Sequence, residues 1–85
     1  MDISDELFAY LARAAHGDES YCPLDIDAEW HACLTQPHDY RVFCLTHFGV
    51  LIAHVVNPPG HRRGKNQAPC KAIVYQGVLT EEVMR

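Results

Sequence analysis

Breaks at Gly17, Pro37, Gly49 and Pro58-Pro59-Gly60 divide this chain into segments that each have room for one short element and little more. In the first, Ser4 stands as an N-cap before Asp5 and Glu6, and Ile3 and Phe8 are spaced as a hydrophobic staple. Leu7, Leu11 and Ala14 recur on one helical face, so the spacing predicts a helix over about 5–16 that ends at His16 and Gly17. In the second, a polar stretch from Asp18 to Pro23 turns the chain. Asp25 then caps a helix whose Ile26, Trp30, Cys33 and Leu34 share a face, and Pro37 stops it.

The two segments on either side of Gly49, Tyr40 to His47 and Val50 to Asn57, are rich in β-branched and aromatic residues and read as a hairpin turning at Phe48-Gly49. Pro58, Pro59 and Gly60 end its second strand. A polar loop from His61 to Pro69 leads to a third strand over Cys70–Gly77, and Thr80, Glu81 and Glu82 suit the cap of a last short turn. The expected fold class is α+β, with two N-terminal helices packed on one face of a three-stranded antiparallel β-meander. An 85-residue chain hides only roughly 60% of its unfolded surface, so one domain spanning 1–85 is expected. With 48% hydrophobic and 21% charged residues, the composition is that of a chain that folds.

The hairpin register places Arg41, Phe43, Leu45, His47, Val50, Ile52, His54 and Val56 on one face, and Tyr40, Val42, Cys44, Thr46, Leu51, Ala53, Val55 and Asn57 on the other. Two short helices cover only one side of such a sheet. A surplus apolar face around Phe43, Leu45, Val50 and Ile52 is therefore expected to meet a partner protein or a second copy in a homodimer.

Charge is divided along the chain. Residues 1–39 hold nine acids against Arg13 alone, whereas residues 40–85 hold six bases against Glu81 and Glu82. Helix N-termini account for several of the acids, because the macrodipole favours negative charge there. The remainder suits attraction of a basic partner surface. The expectation is a small, non-enzymatic, cytoplasmic regulator or inhibitor, with Asp18, Glu19, Asp27 and Glu29 as its acidic docking residues and Trp30, Phe43, Leu45 and Ile52 as apolar anchors. The acidic N-terminus does not resemble a signal peptide, and no apolar run is long enough to span a membrane.

Two other readings compete. Arg62, Arg63 and Lys65 on the 61–65 loop are placed to contact phosphates, which points to a nucleic-acid-associated protein. Six histidines and four cysteines raise a metal-binding or thiol-dependent domain, yet zinc sites in small domains usually show paired ligands such as C-x₂-C. Here only His31-x-Cys33 and Cys44-x₂-His47 approach that spacing, so no metal or other cofactor is assigned. His47 and His54 are expected to share a sheet face, Asp25 and Asp27 to serve as helix caps, and the four cysteines to be reduced structural thiols. No positioned base and oxyanion site accompany any cysteine, so no catalytic residue is assigned.

Overall fold

A computed structural model describes residues 1–56 and 64–75. The chain is α+β: α1 (Asp5–Ala15), β1 (Tyr21–Pro23), α2 (Leu24–Leu34), α3 (Pro37–Phe48), β2 (Ile52–Val56) and β3 (Gln67–Val74). The three strands form one antiparallel sheet in the order β1-β3-β2. None of the described helices is long and apolar enough to cross a membrane.

The first helix forms as its sequence dictates. The Ser4 hydroxyl accepts the Leu7 amide at 3.2 Å, and Leu7, Tyr10, Leu11 and Ala14 are buried. Ser4 in turn gives its amide at 2.7 Å, and its hydroxyl, to the Glu29 carboxylate, which ties the start of α1 to α2. In α2, Ile26, Trp30 and Cys33 face the core at the expected spacing, but the helix begins at Leu24 with Pro23, not Asp25, at its N-cap.

Tyr40 to His47 is helical, not a strand, and this changes the topology. Pro37 ends α2 and also opens α3, because a proline at the first helical position loses no hydrogen bond and brings a suitable φ. Gly49, at φ +73, closes α3 with its amide bonded to the Leu45 carbonyl. Tyr40 and Cys44, four residues apart, turn into the core. Helix caps and burial thus outweigh the modest β preference of Val42, Phe43 and Thr46.

The strand missing from the hairpin is supplied by β1, inside the stretch read as a polar turn. As a result the last strand lies in the middle of the sheet, and the strand order is not that of a meander. Ile52 pairs with Val74 and Val56 with Cys70, while Tyr21 pairs with Lys71. Cys22, Ile52, Ala68, Cys70 and Ala72 are all buried in a core shared with α1, α2 and Tyr40 and Cys44 of α3. On the opposite face, Tyr21, Lys71 and Val55 form a row across the three strands, with Lys71 Nζ 4.9 Å from the Tyr21 ring centre.

The surplus sheet face built on Phe43, Leu45, Val50 and Ile52 is therefore absent. Phe43 and Leu45 lie on α3, Val50 packs partly against the core, and Ile52 is fully buried beneath the helices.

Two tyrosine hydroxyls join helices to strands. Tyr10 donates to the Ser20 carbonyl at 2.7 Å and accepts the Ala72 amide at 3.0 Å. Tyr40 donates to the Ile52 carbonyl at 2.6 Å and accepts the Trp30 indole N–H at 3.1 Å. Each satisfies backbone or indole groups that would otherwise be buried without a partner.

Candidate metal centre

The Trp30–Tyr40–Ile52 connection fixes α2 against β2, and beside it α2 and β2 bring three polar side chains to one point. Asp27 stands in the first turn of α2 and His31 one turn later, so the helical repeat puts both on the same face. His54, on β2, faces them from the sheet with its ring edge-on to Trp30 at a centroid distance of 4.5 Å.

Asp27 Oδ1 lies 3.3 Å from His31 Nε2 and 3.4 Å from His54 Nε2. The two Nε2 atoms are 3.0 Å apart. The site is graded from inside to outside: the side chain of His54 is 10% exposed, that of Asp27 19% and that of His31 57%.

Hydrogen bonding alone fits this triangle poorly. Each Nε2 carries either one proton or one lone pair, so at most two of the three edges can be hydrogen bonds and the third sets like poles together. A cation among the three atoms satisfies all of them. Zinc bonds to nitrogen and oxygen of about 2.0–2.2 Å require tetrahedral ligand separations of about 3.3–3.6 Å, close to the spacing found.

Behind Asp27, β1 and β3 place Cys22 and Cys70, whose sulfurs lie with an Asp27 oxygen inside a 4.8 Å cluster. The Cys70 thiol donates to Asp27 Oδ1 at 3.1 Å. Burial, helped by the Asp27 charge, pushes Cys22 up to about 12 and raises Cys70 well above the ordinary thiol range, so both keep their protons at neutral pH. Cys70 thus orients the carboxylate as an outer hydrogen-bond donor, the common arrangement behind a metal-binding aspartate. Cys33 and Cys44 are buried, unpaired to each other, and raised by the same desolvation.

The expected site residues disperse. Asp18 pairs with Arg13 at 3.6 Å, Glu29 is held by Ser4, and Glu19 is exposed. Asp27, read as a helix cap, is the hub of the cluster. Trp30 and Ile52 are fully buried and so present nothing to a partner, whereas Phe43 and Leu45 are half-buried on α3. Lys65 is exposed in the turn before β3, and Arg62 and Arg63 lie outside the described residues, as does the turn at 80–82. His47 is on α3 against Phe8 and Phe43, and does not share a face with His54.

The Asp27-x₃-His31 spacing on a helix was the legible part of this centre. Paired cysteine and histidine spacings do not include it, because one member of the cluster is a carboxylate. Neither a family model, nor a curated protein, nor a solved structure matches the chain.

Proposed function

We propose that this is a small metal-binding domain that holds one divalent transition ion, zinc foremost, through Asp27 Oδ1, His31 Nε2 and His54 Nε2. The observation that carries the reading is the triangle itself: two imidazole nitrogens and a carboxylate oxygen at 3.0, 3.3 and 3.4 Å. Two imidazoles and a carboxylate are a borderline donor set suited to zinc. Three protein ligands leave a fourth position for water or another molecule, as in zinc sites that exchange a ligand and unlike closed structural sites.

Calorimetric titration of metal-stripped protein with zinc is expected to give one site per chain. Exposed His31→Ala should abolish it without unfolding the domain, and His16→Ala should leave it intact. Equal zinc binding by wild type and His31→Ala would refute the assignment.

A protein-docking role has separate support on α1 and α3. Phe8, Phe43, His47 and Phe48 form a ring cluster with centroids 4.4–6.3 Å apart. Phe8 is 37% exposed and neighbouring Val42 48%. This surface is apolar where the acidic docking residues are not, and of the expected anchors it contains Phe43.

A further inference from the structure

On the inner side of Asp27, the two cysteines of the sheet form a second donor group that the zinc assignment leaves unused. Cys22 Sγ, Cys70 Sγ and an Asp27 oxygen all lie within 4.8 Å of one another, and Asp27 is the residue this group shares with the Asp27–His31–His54 cluster. Strand pairing explains the meeting. Tyr21 pairs with Lys71, and one step along that register sets Cys22 against Cys70, with both side chains in the core. The register then shifts before Pro23, as it does at bulges that re-aim a side chain.

The two sulfurs are held only by weak bonds. Cys22 donates to the Pro23 carbonyl at 3.4 Å and Cys70 to Asp27 Oδ1 at 3.1 Å, and a thiol is a poor donor. The donors are sorted by softness, with sulfurs inside, imidazoles outside and the carboxylate between them. Thiolates select soft ions such as copper(I), whereas imidazoles also suit zinc. Both cysteines are buried, so an ion enters as the chain folds around it or as β1 opens. β1 is the shortest strand and lies at an edge of the sheet, so its opening costs less than unfolding the domain.

We propose that Cys22 and Cys70 bind a copper(I) ion between their sulfurs, with the Asp27 carboxylate as a third donor. Each sulfur releases its proton to solvent as the ion binds, and Cys70 changes from a donor towards the carboxylate into a ligand beside it. Exchanging two protons for a monovalent ion leaves one added negative charge, which a divalent ion on the neighbouring imidazoles offsets. The assignment stands on the sulfur geometry and has only Asp27 in common with the zinc reading.

The test titrates copper(I), without oxygen and against a competing copper(I) chelator, into the metal-stripped and the zinc-loaded full chain. One copper per chain is expected in both. Cys22→Ala and Cys70→Ala should each weaken binding at least about a hundredfold, because even a residue that only supports a ligand commonly costs tenfold or more. Cys33→Ala and His31→Ala should bind copper as wild type does. Circular dichroism checks that each variant folds. Nuclear magnetic resonance of the wild type needs no substitution: copper should move the Cβ signals of Cys22 and Cys70 and leave those of Cys33 and Cys44 in place. Absence of copper binding, its loss on zinc loading, movement at Cys33 and Cys44 instead, or wild-type affinity in folded Cys22→Ala would overturn the proposal. If copper binds to the sulfurs and zinc does not bind, this site stands and the imidazole site falls. If zinc binds through His31 and copper does not bind, the reverse holds.

Discussion

Replacing Tyr40 by Phe removes one oxygen atom and leaves the ring in place, so its cost isolates the hydroxyl that joins α2 to β2. The hydroxyl serves two buried groups, the Trp30 indole N–H at 3.1 Å and the Ile52 carbonyl at 2.6 Å. Trp30 and Ile52 are both fully buried, so neither group has ready access to water once the hydroxyl is gone. An orphaned buried donor or acceptor costs about 1–3 kcal/mol, and partial relaxation of the two groups brings the expected total to about 2–4 kcal/mol. For a domain of this size that corresponds to a fall in Tm of about 10–25 °C. Urea denaturation followed by Trp30 fluorescence measures it directly, with the slope expected to match wild type because the same surface is exposed on unfolding. The effect should also reach the proposed zinc site, since the Trp30–Tyr40–Ile52 connection holds the helix of Asp27 and His31 against the strand of His54. Zinc affinity should fall along with stability. A loss below about 1 kcal/mol would show that the two groups find other partners, and the account of how α2 and β2 are fixed would be wrong.

Two further outcomes test the packing around the site. Burial raises Cys22 to about 12, and it also raises Cys33, Cys44, Cys70, Tyr10 and Tyr40. Because the folded values lie above the unfolded ones, the folded state holds more protons in alkali. Stability present in full below the unfolded thiol value of about 8.5 is then lost as pH rises towards the folded values, at up to about 1.4 kcal/mol per pH unit for each thiol. The urea midpoint should fall steadily between about pH 8.5 and 11, and a flat midpoint would contradict the burial of these groups. Glu29→Ala should cost about 1–2 kcal/mol, because it removes the acceptor for the amide and hydroxyl of Ser4, and should leave zinc binding unchanged. A neutral effect would free Glu29 for the docking role its charge first suggested.

The capping and spacing of α1 and most of α2 could be read directly, because Ser4, Gly17 and the apolar repeats act within one or two helical turns. The same kind of local signal misled at Tyr40–His47. Aromatic and β-branched residues favour a strand there, with Pro37 as the stop of the helix before it and Gly49 as a hairpin turn, yet the same two residues are suitable ends for a helix of 12 residues. Such preferences differ by less than about 1 kcal/mol per residue, so the choice passed to the buried pair Tyr40 and Cys44 and to the caps. β1 was invisible for a related reason: three residues carry too short a pattern, and Cys22 joins the sheet only because β3 is there to pair with its strand.

What the chain determined by itself was the α+β class, the two N-terminal helices, and the placing of Asp27 and His31 on one helical face, all consequences of interactions over a few residues. The Asp27–His31–His54 cluster was decided by the tertiary structure. His54 comes to Asp27 across 27 residues and Cys70 across 43, and no periodicity links positions so far apart. They meet because β3 takes the middle of the sheet and Tyr40 fixes β2 beneath α2, a solution set by which apolar faces can be buried together.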